Sequence, residues 1–188
     1  MDQSTAVWFL IALALVTANL PFIAQRPLLA LPWAQRGEQV RPFWWLWLES
    51  LVFFCLLVAL GYGTLELVGR AVIVGSDIGS IFLFLITLAG VFIVAALLLA
   101  YPGWRNRGRV VVKSFFARLL ELLVLYGLVG MLGFAFEANI GNSFSQTWEF
   151  YSITVCLMLV LGYPGFVYRY LMRHHKPGRP SKGQGKPA

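Results

Sequence analysis

The chain has 188 residues, of which 59% are apolar and only 12% charged, about half the charged share of a soluble domain. Fifteen Lys and Arg against eight Asp and Glu give a net charge of +7. This balance excludes an intrinsically disordered chain, which cannot be so apolar, and a soluble basic nucleic-acid binder. It fits a small, basic, polytopic membrane protein of one domain.

Five apolar stretches are each long enough to cross a bilayer, which takes roughly 20 helical residues. The first, residues 6–24, starts near Trp8 and carries Asn19 and Pro21 towards its end. Pro21 lacks the N–H that would bond residue 17, so the helix kinks or ends there, and Asn19 is placed to cap the break or bond a partner helix. The leading Met1–Thr5 has no Lys or Arg, which a secretory signal normally carries, so this span is expected to be a retained anchor. The second, residues 43–68, opens with Trp44, Trp45 and Trp47 and holds Glu49. The third, residues 78–101, ends at Tyr101-Pro102-Gly103, followed by Trp104.

The fourth, residues 115–136, carries Arg118, Glu121 and a small-residue strip of Gly127, Gly130 and Gly133, a spacing that permits close helix packing. The fifth, residues 148–171, starts at Trp148 and contains Tyr163-Pro164-Gly165. Ser143 and Gln146 have the spacing of a capping box at its start. Backbone polar groups in hydrocarbon must be satisfied within the segment, so all five are read as helices. A β-barrel would alternate polar residues, which runs such as Ile81–Ile86 do not. The expected fold is all-α: one helical membrane domain over residues 1–173, then a basic disordered tail over 174–188.

Fourteen of the fifteen cations fall between spans one and two, around the link between spans three and four, or at and after the end of span five; the exception is Arg70. The positive-inside rule then places the N-terminus outside and the C-terminus in the cytoplasm, as an odd number of spans requires. The Trp residues at positions 8, 44, 45, 47, 104 and 148 mark both interfaces as an aromatic belt. The tail cations are suited to anionic lipid, at about 1 kcal/mol each near the surface. No nucleic acid is needed to explain the charge.

An internal repeat underlies the order. At an offset of 72 residues Glu49 meets Glu121, Gly61 meets Gly133, Gly69 meets Gly141 and Arg41 meets Lys113. At an offset of 62, Tyr101-Pro102-Gly103 meets Tyr163-Pro164-Gly165. The chain thus reads as one anchor helix plus two copies of a hairpin, residues 41–104 and 113–166, in the same orientation. This differs from the inverted repeats of many secondary transporters.

Glu49 and Glu121 are the residues with most chemical promise, since a carboxylate inside a span is costly and marks a functional candidate. Two readings stand. The pair serves an ion or proton path, or each carboxylate is structural, Glu121 pairing with Arg118 one turn away and Glu49 with a snorkelling Arg41. Cys55 and Cys156 lack a CxxC partner and are packing residues. His174-His175 lacks further metal ligands. No phosphate loop, dinucleotide fingerprint, nucleophile elbow or zinc motif occurs, so no catalytic residue, metal or cofactor is expected, and a lipid-directed enzyme has no acid–base cluster to work with.

Residues Trp8–Leu10, Ala18–Phe22, Arg118–Leu122, Tyr126, Gly130, Glu137, Trp148–Tyr151 and Pro164–Tyr170 resemble a family of small proteobacterial inner-membrane proteins catalogued as domain of unknown function 2818. The likeness covers residues 1–36 and 113–173, with the hairpin between them extra. Genes of the family often lie beside those of the proton-pumping NADH–quinone oxidoreductase, respiratory complex I. The resemblance therefore implies a non-catalytic accessory or assembly protein associated with the membrane subunits of complex I, in the bacterial inner membrane. The alternative is a small proton- or ion-coupled carrier or channel using Glu49 and Glu121. The family assigns no catalytic residues.

Overall fold

The structure, a computed structural model, describes residues 3–38, 41–71, 78–108, 111–141 and 145–172. It is all-helical: five spans are long and apolar enough to cross a membrane, and no strand occurs among the described residues. They are α1 (Gln3–Ile23), α2 (Phe43–Gly69), α3 (Ile78–Arg105), α4 (Phe115–Ile140), and a composite fifth span. The last consists of α5 (Trp148–Leu161), α6 (Tyr163–Val167) and a π-helical turn, Tyr168–Met172. The tail after residue 172, Ser143 and the connection at 72–77 lie outside the described residues.

Local chemistry sets several ends. Ser114 accepts a hydrogen bond from the Ala117 N–H at 3.1 Å and so caps α4. Gly141 closes α4 in the left-handed region, at φ 77°, where a side chain would be strained. Pro21 is inside α1, which ends two residues later. The α3 helix runs past Tyr101-Pro102-Gly103 to Arg105, so that motif does not close it. The fifth span starts with Thr147 at the N-cap position and no side-chain cap, while Ser143 of the expected capping box is not among the described residues. Gln146 instead donates to Glu137 at 3.4 Å.

Helix α4 is the hub. It packs most extensively on α2 and α1 and also touches α5. Three apolar clusters each include α4 residues: Leu132, Ala135 and Phe136 in one, Ala117 in the second, Leu122 and Leu125 in the third. The second also buries Leu29, Ala30 and Leu31, because the connection after α1 folds back over the ends of α2 and α4. An isolated antiparallel bridge ties that connection, at Arg36, to Val112 before α4.

The two helices that correspond in the repeat are neighbours. A Cβ at Gly61 would stand 3.4 Å from Met131, one at Gly69 would stand 3.3 Å from Ala138, and Asn139 donates to the Val68 carbonyl at 3.0 Å. Contacting residues are therefore close to the repeat offset apart, and α2 and α4 run parallel and nearly in register.

The glycine strip of α4 is not the close contact the sequence suggested. A Cβ on Gly127 or Gly130 would meet nothing within 4 Å, and one on Gly133 only Leu10 at 3.6 Å. The faces that meet closely carry other small residues: Gly69 on Ala138 and the Ala135 backbone, Gly162 on the Ala18 carbonyl, and Gly165 on Asn19. A Cβ at Gly165 would lie 2.8 Å from Asn19 Oδ1, a distance that forces a shift. Gly165→Ala is expected to cost about 1–3 kcal/mol. Gly127→Ala should be neutral or stabilising, by up to about 1 kcal/mol. Thermal unfolding of the two variants in detergent checks the contrast.

Candidate functional site

Glu121 is a carboxylate enclosed by protein, with 1% of its surface exposed. Both oxygens are taken. Lys113 Nζ lies 2.7 Å from Oε2, and the Leu28 backbone N–H donates to Oε1 at 2.8 Å. Lys113 reaches it from just before the α4 cap and its side chain is fully enclosed. Burial pushes the Lys113 ammonium below the ordinary lysine value, and the charge and hydrogen bond of Glu121 oppose that. The Leu28 bond fixes the returning connection against α4.

Arg118 does not pair with Glu121 as its i,i+3 spacing suggested. Its guanidinium turns to α1, donating to the carbonyls of Phe22 at 3.1 Å and Pro21 at 3.4 Å. The last carbonyls of a helix have no intrahelical donor and carry partial negative charge, so a cation there satisfies them. The same guanidinium sits over the Tyr170 ring, 5.9 Å from its centroid, within reach of a cation–π contact. Arg118 thus ties the end of α1 to α4 and to the end of the fifth span.

Glu49 holds the corresponding place in the first hairpin. Arg41 Nη1 lies 3.6 Å from its Oε2, as the snorkelling argument requires. Arg105, from the end of α3, pairs with Oε1, and Tyr101 donates to the same oxygen at 3.2 Å. Arg105 continues to Glu38 at 2.5 Å, and Asn106 donates to Glu38 at 3.2 Å. Both hairpins therefore contain one unit: a cation eight residues before a carboxylate, Arg41–Glu49 and Lys113–Glu121. The repeat already aligned these cations, and following it would have found Lys113 where helix spacing pointed to Arg118.

Asn19 and the second Tyr-Pro-Gly motif, apart in sequence, form one joint. In an unbroken helix the Gly165 N–H would bond the Leu161 carbonyl. Here Asn19 Oδ1 accepts from the Gly165 N–H at 2.7 Å while its Nδ2 donates to the Leu161 carbonyl at 3.0 Å. The carboxamide stands in for the missing bond, and the helix breaks between α5 and α6. Tyr163 and Pro164 are exposed, Gly165 buried. In the first hairpin Pro102 and Gly103 are buried inside α3. A Cβ on Gly103 would lie 3.2 Å from Arg26, so the two motif copies meet successive parts of the chain around the end of α1.

The Trp side chains at 8, 44, 45, 47, 104 and 148 are all exposed, between 47% and 74%, as residues of an interfacial belt would be. Trp44 and Trp45 stack on each other. Cys55 and Cys156 are exposed as well, not packed. Among the described residues no three His, Cys, Asp or Glu side chains gather.

These features define a polytopic helical protein of membrane type whose deepest carboxylates are held by its own cations. A family model described as "Protein of unknown function (DUF2818)" matches the chain twice, over residues 6–110 and 91–173, and the chain belongs to this family. The overlapping matches are consistent with a duplicated region. The first runs through the α2–α3 hairpin, so that hairpin itself carries the family pattern, as one of two copies would. No curated protein and no solved structure matches the chain.

Removing one partner of an enclosed ion pair leaves a buried charge, so Lys113→Met should cost about 3–5 kcal/mol. The double variant Lys113→Met with Glu121→Met should recover most of that. Arg41→Ala, at a half-exposed pair, should cost under about 1 kcal/mol. A double-mutant cycle on unfolding midpoints in detergent measures all three.

Proposed function

We propose that the protein is a non-catalytic accessory or assembly factor of a bacterial inner membrane that associates laterally with membrane subunits of respiratory complex I. The observation that carries the lateral-association reading is the state of α3. It is the most apolar span, yet only Phe84, Pro102 and Gly103 of it are buried. A helix so apolar and so open within its own chain suits contact with lipid or another apolar helix. The choice of partner rests on the resemblance of the chain to a family often encoded beside complex I. In the same reading the end bearing Arg26, Arg36, Arg41, Arg105, Arg107, Lys113, Arg118 and Arg169 faces the cytoplasm, following the positive-inside rule.

A carrier reading asks Glu49 and Glu121 to exchange a proton or ion during transport. Both oxygens of Glu121 and Oε1 of Glu49 are instead hydrogen-bonded by a cation, a hydroxyl or a backbone N–H, an arrangement suited to holding helices together. The accessory role is therefore favoured.

Affinity purification of the tagged protein from gently solubilised membranes should recover complex I membrane subunits. Their absence, together with normal NADH oxidation in membranes of a deletion strain, would overturn the role. Fusions after Ala188 should give fluorescent green fluorescent protein and inactive alkaline phosphatase; the opposite pattern would reverse the orientation. Protein reconstituted in liposomes should pass no more protons or monovalent ions than Glu49→Gln/Glu121→Gln protein, and a flux lost in that variant would restore the carrier.

A further inference from the structure

Between α2 and α3 lies a groove of about 630 Å³ with an asymmetric lining. Its shaft is apolar, with Leu48, Val52 and Leu56 on one side and Leu97 on the other, and its polar end holds Arg41, Glu49 and Tyr101. This volume is in the range of sites that hold one small molecule. An occupant needs an apolar tail, since the shaft offers nothing to hydrogen-bond.

The head it needs follows from the polar end. Glu49 Oε1 is occupied by Arg105 and Tyr101, whereas Oε2 faces Arg41 Nη1 across 3.6 Å, too long for a direct hydrogen bond. In the second hairpin the equivalent pair closes to 2.7 Å and is shut off from solvent. In the first, the Arg41 side chain is 31% and the Glu49 side chain 17% exposed. The groove thus ends in two opposite charges that are held close but not joined. A purely anionic head would satisfy Arg41 and crowd Glu49. An uncharged head would match neither. A head carrying a phosphate and a primary ammonium matches both, the ammonium donating to the carboxylate and the phosphate accepting from the guanidinium.

We propose that the α2–α3 groove binds a zwitterionic phospholipid of the phosphoethanolamine type. Its phosphate sits on Arg41, its ammonium on Glu49 Oε2, and one acyl chain lies along Leu48, Val52, Leu56 and Leu97. Trp45, also in the lining, flanks the head at the level an indole prefers.

Native mass spectrometry of the full chain in detergent, titrated separately with phosphatidylethanolamine, phosphatidylglycerol and an uncharged diacylglycerol, tests this. Phosphatidylethanolamine should bind at least tenfold more tightly than either other lipid. Glu49→Gln should erase that preference. Leu97→Trp fills the shaft without touching the charged end, and should weaken binding of phosphatidylethanolamine at least tenfold at an unchanged unfolding midpoint. Equal retention of the three lipids, a preference for phosphatidylglycerol, or undiminished binding to Leu97→Trp would each overturn the proposal.

Discussion

A carboxylate enclosed in an apolar bundle must be neutralised and hydrogen-bonded, and Glu121 imposes that demand on much of this fold. A charge removed from water costs several kcal/mol unless geometry compensates it. Lys113 supplies the charge and the Leu28 N–H a hydrogen bond. Meeting both conditions fixes the chain on either side. The residues before α4 must turn so that Lys113 reaches Glu121, eight residues further along the chain. The connection after α1 must fold beneath the bundle, so that Leu28 reaches Glu121 and Leu29–Leu31 pack on Phe53 and Ala117. The Arg36–Val112 bridge joins those same two connections.

The same logic of satisfied polar groups extends to the helix ends. Pro21 and Phe22 present carbonyls that the end of α1 leaves without donors, and Arg118 fills them. Gly165 and Leu161 would be unpaired at the break after α5, and the Asn19 carboxamide joins them. Both devices act between α1 and the second hairpin. They convert what would be weak points in hydrocarbon into connections between helices, as membrane proteins require where regular helix is interrupted.

The five spans were legible because a long apolar run in hydrocarbon has few alternatives to helix, whatever its neighbours. The charge partners were partly legible. Arg41 with Glu49 followed from the reach of an arginine side chain just before α2. Lys113 with Glu121 was hidden because Arg118, one turn from Glu121 on the same helix, offered a nearer partner; only the repeat carried the signal. The Gly127, Gly130 and Gly133 strip misled for a different reason. Spacing shows that a helix has a small face, but the packing of the other helices decides whether that face is used. Here α1 and α2 come against faces of α4 defined by Leu122, Leu125, Ala135 and Ala138, and leave Gly127 exposed. The role of Gly165 depended on Asn19, remote in sequence, and no local pattern could have joined them.

A duplicated unit need not keep equivalent surroundings, and the two copies here have diverged in enclosure more than in chemistry. Helix α1 packs over α4, α5 and α6. That cover, with the returning connection, leaves Glu121 at 1% exposure. Among the described residues no such helix covers the first hairpin between α2 and α3, and its groove stays open beside Glu49. The shared cation and carboxylate therefore perform different work. In the covered copy their attraction is spent on closing the bundle, at short distance and without solvent. In the open copy Arg105 and Tyr101 hold the carboxylate from the α3 side, which frees Arg41 from that task. A charge pair relieved of its structural role while still lining an apolar groove is the part of this fold most available to a ligand.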